Sequence, residues 1–361
     1  MENKVQNRLD NKVILLLYME LADYTFQCLK ALKKQHPGFQ IHVMAYPVNA
    51  EAPFNFDFSE IGRLYNRLKF DHEKIQLFAD KLSPSLIICS GWKDKSYIKV
   101  IRTWRKRATT VMCMDNEWHG NLKQRLSAMV AKFMLPVVFK YIWVPYKKQG
   151  QFALKLGFKQ ENIKYGFYTA DTEKFNALYE ENLPLKSKNF PKVFICVARY
   201  IPQKNLSTLW NAFVQLQNEE PNDWELWNLG QGEEFDKRFI DPKIKHHGFV
   251  QPNDMADFIK RSGVFVLPSL FEPWGVVVHE FAAAGFPLLI SQNVGAQQAF
   301  LKDGVNGYVF NANSVENIKR ALLKIMNLSD MELLKMGAES HAVAAKIDQD
   351  KWVEQCVSFI E

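Results

Sequence analysis

The chain is organised as a repeated alternation: a short, continuous apolar run, then a stretch with helical spacing. Residues 13–19 (VILLLYM) form the first run, bounded by charge. An unbroken apolar run of this length reads as a parallel strand buried on both faces. Helical spacing follows over 21–34 and stops at Pro37-Gly38. Further strands read at 41–45, 86–89, 109–114, 141–144 and 162–165, with helices at 61–82, 93–107 and 147–157 between them. A second series runs from about 193 to 325, and 331–361 reads as helical. Strand-helix alternation of this kind predicts doubly wound parallel sheets. The 361 residues are enough for two such domains. The polar, proline-containing segment 168–191 is the natural boundary. The expected division is 1–170, a linker 171–191, 192–345, and a C-terminal helix 346–361 whose Trp352 and Phe359 return to the first domain.

Composition narrows the class. Hydrophobic residues at 47% and charged residues at 24% fit a globular protein. The opening MENKVQNRLDNK has no apolar signal-peptide core, and five scattered cysteines form no C-x-x-C pair. Both features predict a reducing, cytoplasmic setting and no zinc site. Charge is divided unevenly. Residues 1–170 hold 27 Lys and Arg against 14 Asp and Glu, a balance of +13, whereas residues 171–361 hold 19 against 25, a balance of −6. A basic half predicts an anionic partner. No nucleic-acid-binding module is legible, so a membrane surface is the expectation, with a merely solvated basic face as the alternative. Segment 126–146 is apolar, but Lys132, Pro136 and Lys140 interrupt it. It reads as a buried helix and core strand, or as an interfacial segment anchored by Trp143, Tyr146, Lys147 and Lys148.

The chemistry concentrates in 268–289, PSLFEPWGVVVHEFAAAGFPLL. Pro273 ends a strand, Gly275 admits close backbone approach, and a helical pattern follows. Glu272 lies in the loop and Glu280 in the helix. Carboxylates on both sides of an anion-binding helix start suit a ligand with a diphosphate between two sets of hydroxyls.

This spacing, E-x7-E within FEPWGVVVHEFAAAG, resembles the donor-sugar motif of glycosyltransferase family 4, retaining enzymes of the GT-B fold. KVFICVARYIPQKNL (192–206), LWNLGQGEEF (226–235), KHHGFVQPNDM (245–255) and LKDGVNGYVF (301–310) resemble further family segments in the expected order. The resemblance implies two Rossmann-like domains facing across a cleft. It implies transfer of a hexose-type sugar from a nucleotide-diphosphate donor to a hydroxyl acceptor, such as a lipid-linked or surface-polysaccharide intermediate, with retention and without a metal or other cofactor. Arg199 and Lys204 would stabilise the departing diphosphate. Glu280 would hold the ribose and Glu272 the sugar. Amides at Trp274, Gly275, Val276 and Val277 would complete the cradle, Gly230 would line the phosphate side, and Phe249 and Val250 would meet the base. Trp274, bulkier than the usual Phe, would either reshape the sugar pocket or pack in the core. The first domain departs from the family in lacking a Gly-rich loop after its first strand, where Tyr18-Met19-Glu20 stands instead. Asp115 and His119 occupy the approximate place of a His-Asp pair and are acceptor-side candidates; otherwise they are a cap and a loop residue. Asp348-Gln349-Asp350 mimics a metal motif but reads as a helix cap. The same scaffold also serves nucleotide-sugar epimerases, sugar phosphorylases and non-catalytic sugar-nucleotide-binding subunits.

Overall fold

The computed structural model describes residues 11–360. All but two residues of the polar opening segment lie outside that range. The chain divides into two compact units. The first comprises Met1–Asn49, Phe54–Thr169 and Gln349–Glu361, and the second Ala50–Pro53 and Ala170–Asp348.

In chain order the first unit contains β1 (Val13–Tyr18), α1 (Asp23–Gln35), β2 (Gln40–Ala45), β3 (Gly62–Asn66), α2 (His72–Leu82), β4 (Leu86–Ser90), α3 (Lys95–Trp104), β5 (Thr109–Cys113), α4 (Leu122–Val138), β6 (Tyr141–Val144), α5 (Lys147–Lys155) and β7 (Ile163–Tyr165). Its sheet is wholly parallel in the order β3-β2-β1-β4-β5-β6-β7. β1 is buried on both sides because alternate side chains leave opposite faces. Leu15 and Leu17 enter one core, while Ile14, Leu16 and Tyr18 enter the other.

The second unit contains α6 (Thr172–Lys188), β8 (Val193–Val197), α7 (Leu206–Glu219), β9 (Glu225–Leu229), β10 (Ile244–His246), α8 (Met255–Arg261), β11 (Val264–Leu267), α9 (Val276–Ala283), β12 (Leu288–Ser291), α10 (Gln297–Phe300), β13 (Gly307–Phe310), α11 (Val315–Met326) and α12 (Asp330–Ala344). Its parallel sheet runs β10-β9-β8-β11-β12-β13. The last helix, α13 (Gln349–Val357), belongs to the first unit. There Trp352 donates its indole N–H to the Phe167 carbonyl (2.9 Å) and packs on Trp143 at 5.0 Å.

Several elements differ from the expectation. Residues 61–82 are not one helix. Gly62–Asn66 forms edge strand β3, and the Asp71 carboxylate caps α2 by accepting from the Lys74 amide (2.8 Å). Gly62 is required because a Cβ there would lie 2.0 Å from the Ile41 carbonyl oxygen across the sheet. Residues 171–191, read as a linker, mostly form α6, whose buried Phe175, Leu178 and Lys186 pack within the second unit. The final stretch breaks between α12 and α13, and the side chain of Asp350 accepts from Gln35 (2.7 Å). Trp143 cannot anchor at an interface: it is fully buried, and its indole donates to the Tyr165 carbonyl (2.9 Å).

Candidate active site

In the second sheet β8 and β11 lie side by side, and the strand order reverses between them. A doubly wound sheet opens a crevice outside the carboxyl ends of its strands at such a switch point. Arg199 follows β8, Gly230 follows β9, Gly248-Phe249-Val250 follows β10, and Glu272 to Gly275 follow β11. The topology therefore gathers the candidate donor residues on the loops at one edge.

Lys204 and Glu272 come together there. The Lys204 ammonium donates to Glu272 Oε2, and both side chains are largely enclosed. Ser269 Oγ donates to the same oxygen at 3.4 Å. The backbone holds both residues. The Leu270 amide donates to the Gln203 carbonyl (2.9 Å), and Gln203 Nε2 donates to the Phe271 carbonyl (2.6 Å). Buried Asn205, at φ 57°, donates to the carbonyls of Pro268 (3.2 Å) and Ala312 (2.8 Å). From the other side, the Glu272 amide donates to the Asn293 carbonyl (3.1 Å) and the Gly295 amide to the Glu272 carbonyl (2.9 Å). This loop after β12 was not singled out from the sequence, although its Asn-Val-Gly is a turn signal.

Gly275 begins α9 at φ 91°, a conformation that suits glycine; a Cβ there would also press on Glu272 Cγ at 3.1 Å. The first amides of a helix have no intrahelical acceptor, so Val276 and Val277 offer N–H groups beside Glu272. Glu280 is half-buried, just over one turn into α9. Arg199 lies 3.3 Å from Glu51, which belongs to the short segment Ala50–Pro53 of this unit. Glu51 was invisible to sequence reasoning because it stands 148 residues away in the chain.

The remaining candidates sort by environment. Gly230 is fixed by packing, since its amide donates to the Gly248 carbonyl (2.6 Å) and a Cβ would lie 2.0 Å from the Ala198 carbonyl oxygen. Phe249 and Val250 are half-buried. The ring of Trp274 packs in the core against Phe300, with centroids 6.1 Å apart. His279, between the two motif carboxylates, is structural. Its Nδ1 accepts from the Ala170 amide (3.0 Å) and its Nε2 faces the Ala344 carbonyl (3.2 Å), which places the proton on Nε2. Burial pushes its pKa down to about 4.

In the first unit Asp115 follows β5 and accepts from Tyr168 Oη at 3.3 Å. His119 is exposed, with its amide bound to Gln124 Oε1 (2.7 Å). Between them stands Glu117, which the sequence reading passed over. Burial raises its pKa, against the opposing pull of Lys148, His119 and Gln149. Lys148 lies 3.9 Å away, and Gln149 Nε2 donates to Glu117 Oε1 at 3.3 Å. Glu117 thus joins Asp115 and His119 as a further polar residue of the segment after β5. Among the described residues no group of three or more His, Cys, Asp or Glu is placed to hold a metal ion.

Comparison with known proteins bears on the same segment. Residues 181–340 match the model of the glycosyl transferases group 1 family. A lipopolysaccharide core biosynthesis glycosyltransferase of Rhizobium meliloti is 30% identical over 141 residues, covering 37% of this chain and 39% of that protein. A UDP-Gal:alpha-D-GlcNAc-diphosphoundecaprenol alpha-1,3-galactosyltransferase of Escherichia coli is 27% identical over 186 residues, covering 48% of this chain and 47% of that one. The chain thus spans less than half the length of these curated relatives. Anabaena Alr3699/HepE, solved in complex with UDP and glucose, superposes with a TM-score of 0.72 at 15% identity over 96% of this chain and 98% of that one. The likeness shows the fold: two Rossmann-like, parallel-sheet domains of GT-B type.

Proposed function

We propose that this protein is a retaining glycosyltransferase of the family 4 type. It takes a nucleotide-diphosphate sugar in the second domain and passes a hexose to a hydroxyl acceptor. The observation that carries the reading is the pairing of Lys204 with Glu272 beside the start of α9, within the segment matched by the group 1 family model. Lys204, Arg199 and the amides of Val276 and Val277 supply fixed positive charge for a departing diphosphate. In this reading the transfer needs no metal. Glu280 accepts from the ribose diol and Glu272 from the sugar hydroxyls, while Glu272 also holds the Lys204 ammonium in place. The departing phosphate takes the acceptor proton on the same face, which retains the anomeric configuration.

A lipid-linked or surface-polysaccharide acceptor is favoured by the names of the two relatives, one acting in lipopolysaccharide core synthesis and one on a diphosphoundecaprenol-linked sugar. The basic first domain would receive that acceptor on the cytoplasmic side of an anionic membrane. A thermal-shift panel of UDP-, GDP-, ADP- and TDP-sugars tests the donor assignment, since a ligand bound only by the native state raises Tm. Anomer-resolved NMR of the product with the stabilising donor then tests transfer. Stabilisation by none of the donors, an inverted product, or epimerised sugar formed without acceptor each overturns the proposal.

A further inference from the structure

Helix α4 leaves an apolar stripe uncovered. Its inner face, Ala128, Ala131, Leu135 and Val138, is buried in the first unit's core. Its outer face carries Leu122, Leu126, Met129, Val130, Phe133 and Val137, all between 51% and 77% exposed. These positions recur every three or four residues and so share one side of the helix. Successive residues turn by about 100°, which sets Lys123 on one border of the stripe and Arg125 and Lys132 on the other. All three are exposed.

The surroundings are equally one-sided. Residues 118–160 contain eight Lys and Arg and no Asp or Glu. Every one of these eight side chains is exposed. An apolar stripe with cationic borders matches the boundary between lipid headgroups and acyl chains, where long basic side chains reach back to anionic phosphates. A second copy of the chain fits badly, because a two-fold contact through α4 would oppose the same cations. Among the described residues no helix is long and apolar enough to cross a membrane, so α4 would lie in the plane of the surface.

We propose that α4 is an in-plane anchor that seats the first domain on an anionic bilayer. The stripe centred on Met129, Val130 and Phe133 enters the acyl boundary, and Lys123, Arg125 and Lys132 pair with headgroups. This deepens the reading of the basic domain given above and rests on it only for the whereabouts of the acceptor.

The test is co-sedimentation of the full chain with phosphatidylcholine vesicles, with and without phosphatidylglycerol, at low and high salt. Wild type should bind the anionic vesicles and be weakened by salt. Met129→Glu/Phe133→Glu should bind about tenfold or more weakly. Lys123→Gln/Arg125→Gln/Lys132→Gln should lose on the order of a hundredfold at low salt. These side chains are all exposed, so folding is not at issue. Depth is read separately from a Phe133→Cys variant carrying an environment-sensitive dye, which the five buried native cysteines leave uniquely reactive. Its emission should shift to the blue on anionic vesicles. Binding by the glutamate variant equal to wild type, an unmoved dye, no binding to either vesicle, or a solution dimer that the glutamate variant dissociates would each overturn the proposal. The donor thermal-shift panel is run in parallel in lipid-free buffer. If no donor stabilises the protein while vesicle binding holds, the transferase reading falls and the anchor stands.

Discussion

Replacing Lys186 by Met should stabilise the protein, and the gain should depend on pH. Lys186 lies on α6 and is only 6% exposed. Among the described residues its ammonium has no hydrogen-bond partner, and it sits 3.7 Å from the centroid of the Phe286 ring. Burial lowers its pKa to about 7. In the unfolded chain a lysine titrates near 10.4. Between those two values the unfolded state binds more protons, so stability rises as pH rises from about 7 to about 10; below 7 the native state carries the full cost of a buried charge. A shift of this size corresponds to roughly 4 to 5 kcal/mol, which cation–π attraction to Phe286 reduces to about 3. Methionine fills similar space without charge. At neutral pH the variant should gain about 3 kcal/mol, or roughly 6 to 12 °C in the melting of a unit this size. Differential scanning calorimetry of both proteins at several pH values between 6 and ~10 measures this. The advantage should shrink towards the alkaline end. A variant no more stable than wild type at neutral pH, or one whose pH dependence runs parallel to it, would refute the argument.

Three further outcomes are expected. Lys204→Ala and Arg199→Ala should each lower kcat by on the order of a hundredfold, since each removes a fixed cation from developing charge; steady-state rates close to wild type for both would contradict the donor-site assignment. Transfer should persist in excess EDTA, and complete loss restored by Mg²⁺ would point to a metal-dependent reaction. His279, with its pKa lowered from 6.5 to about 4, contributes stability that is complete above pH 6.5 and is lost as pH falls towards 4, up to about 3 kcal/mol. His279→Gln should be less stable at neutral pH yet flatter across that window in thermal melts, and an unchanged acid slope would count against the buried neutral imidazole.

The buried strands were legible because a strand covered on both faces has no choice but to be apolar, as in Ile14 to Leu17 or Val264 to Leu267. Edge strand β3 was not, because it shares no such pressure: Leu64 points outward at 42% exposure, and the segment merges with the following helical pattern. At the site, Lys204, Glu272 and the start of α9 were legible as a motif. Their supports were not, since Glu51, Asn293 and Gly295 act through backbone and long-range contacts that leave no local spacing. α4 shows a different limit. Periodicity tells which residues share a face, but both faces of this helix are apolar, and nothing in the spacing says that Leu135 goes inward while Phe133 goes out.

The position of α13 bears on the order in which the molecule can be made. Trp352, Val353 and Cys356 fill the same core as Ile14, Leu16 and Trp143. Yet α13 leaves the ribosome only after the whole of Ala170–Asp348 has been synthesised. At about 5–20 residues per second, that interval lasts on the order of ten to thirty-five seconds. During it the nascent first domain carries an open apolar slot beside Trp143 and Phe167, and its completion waits on a segment translated after its neighbour.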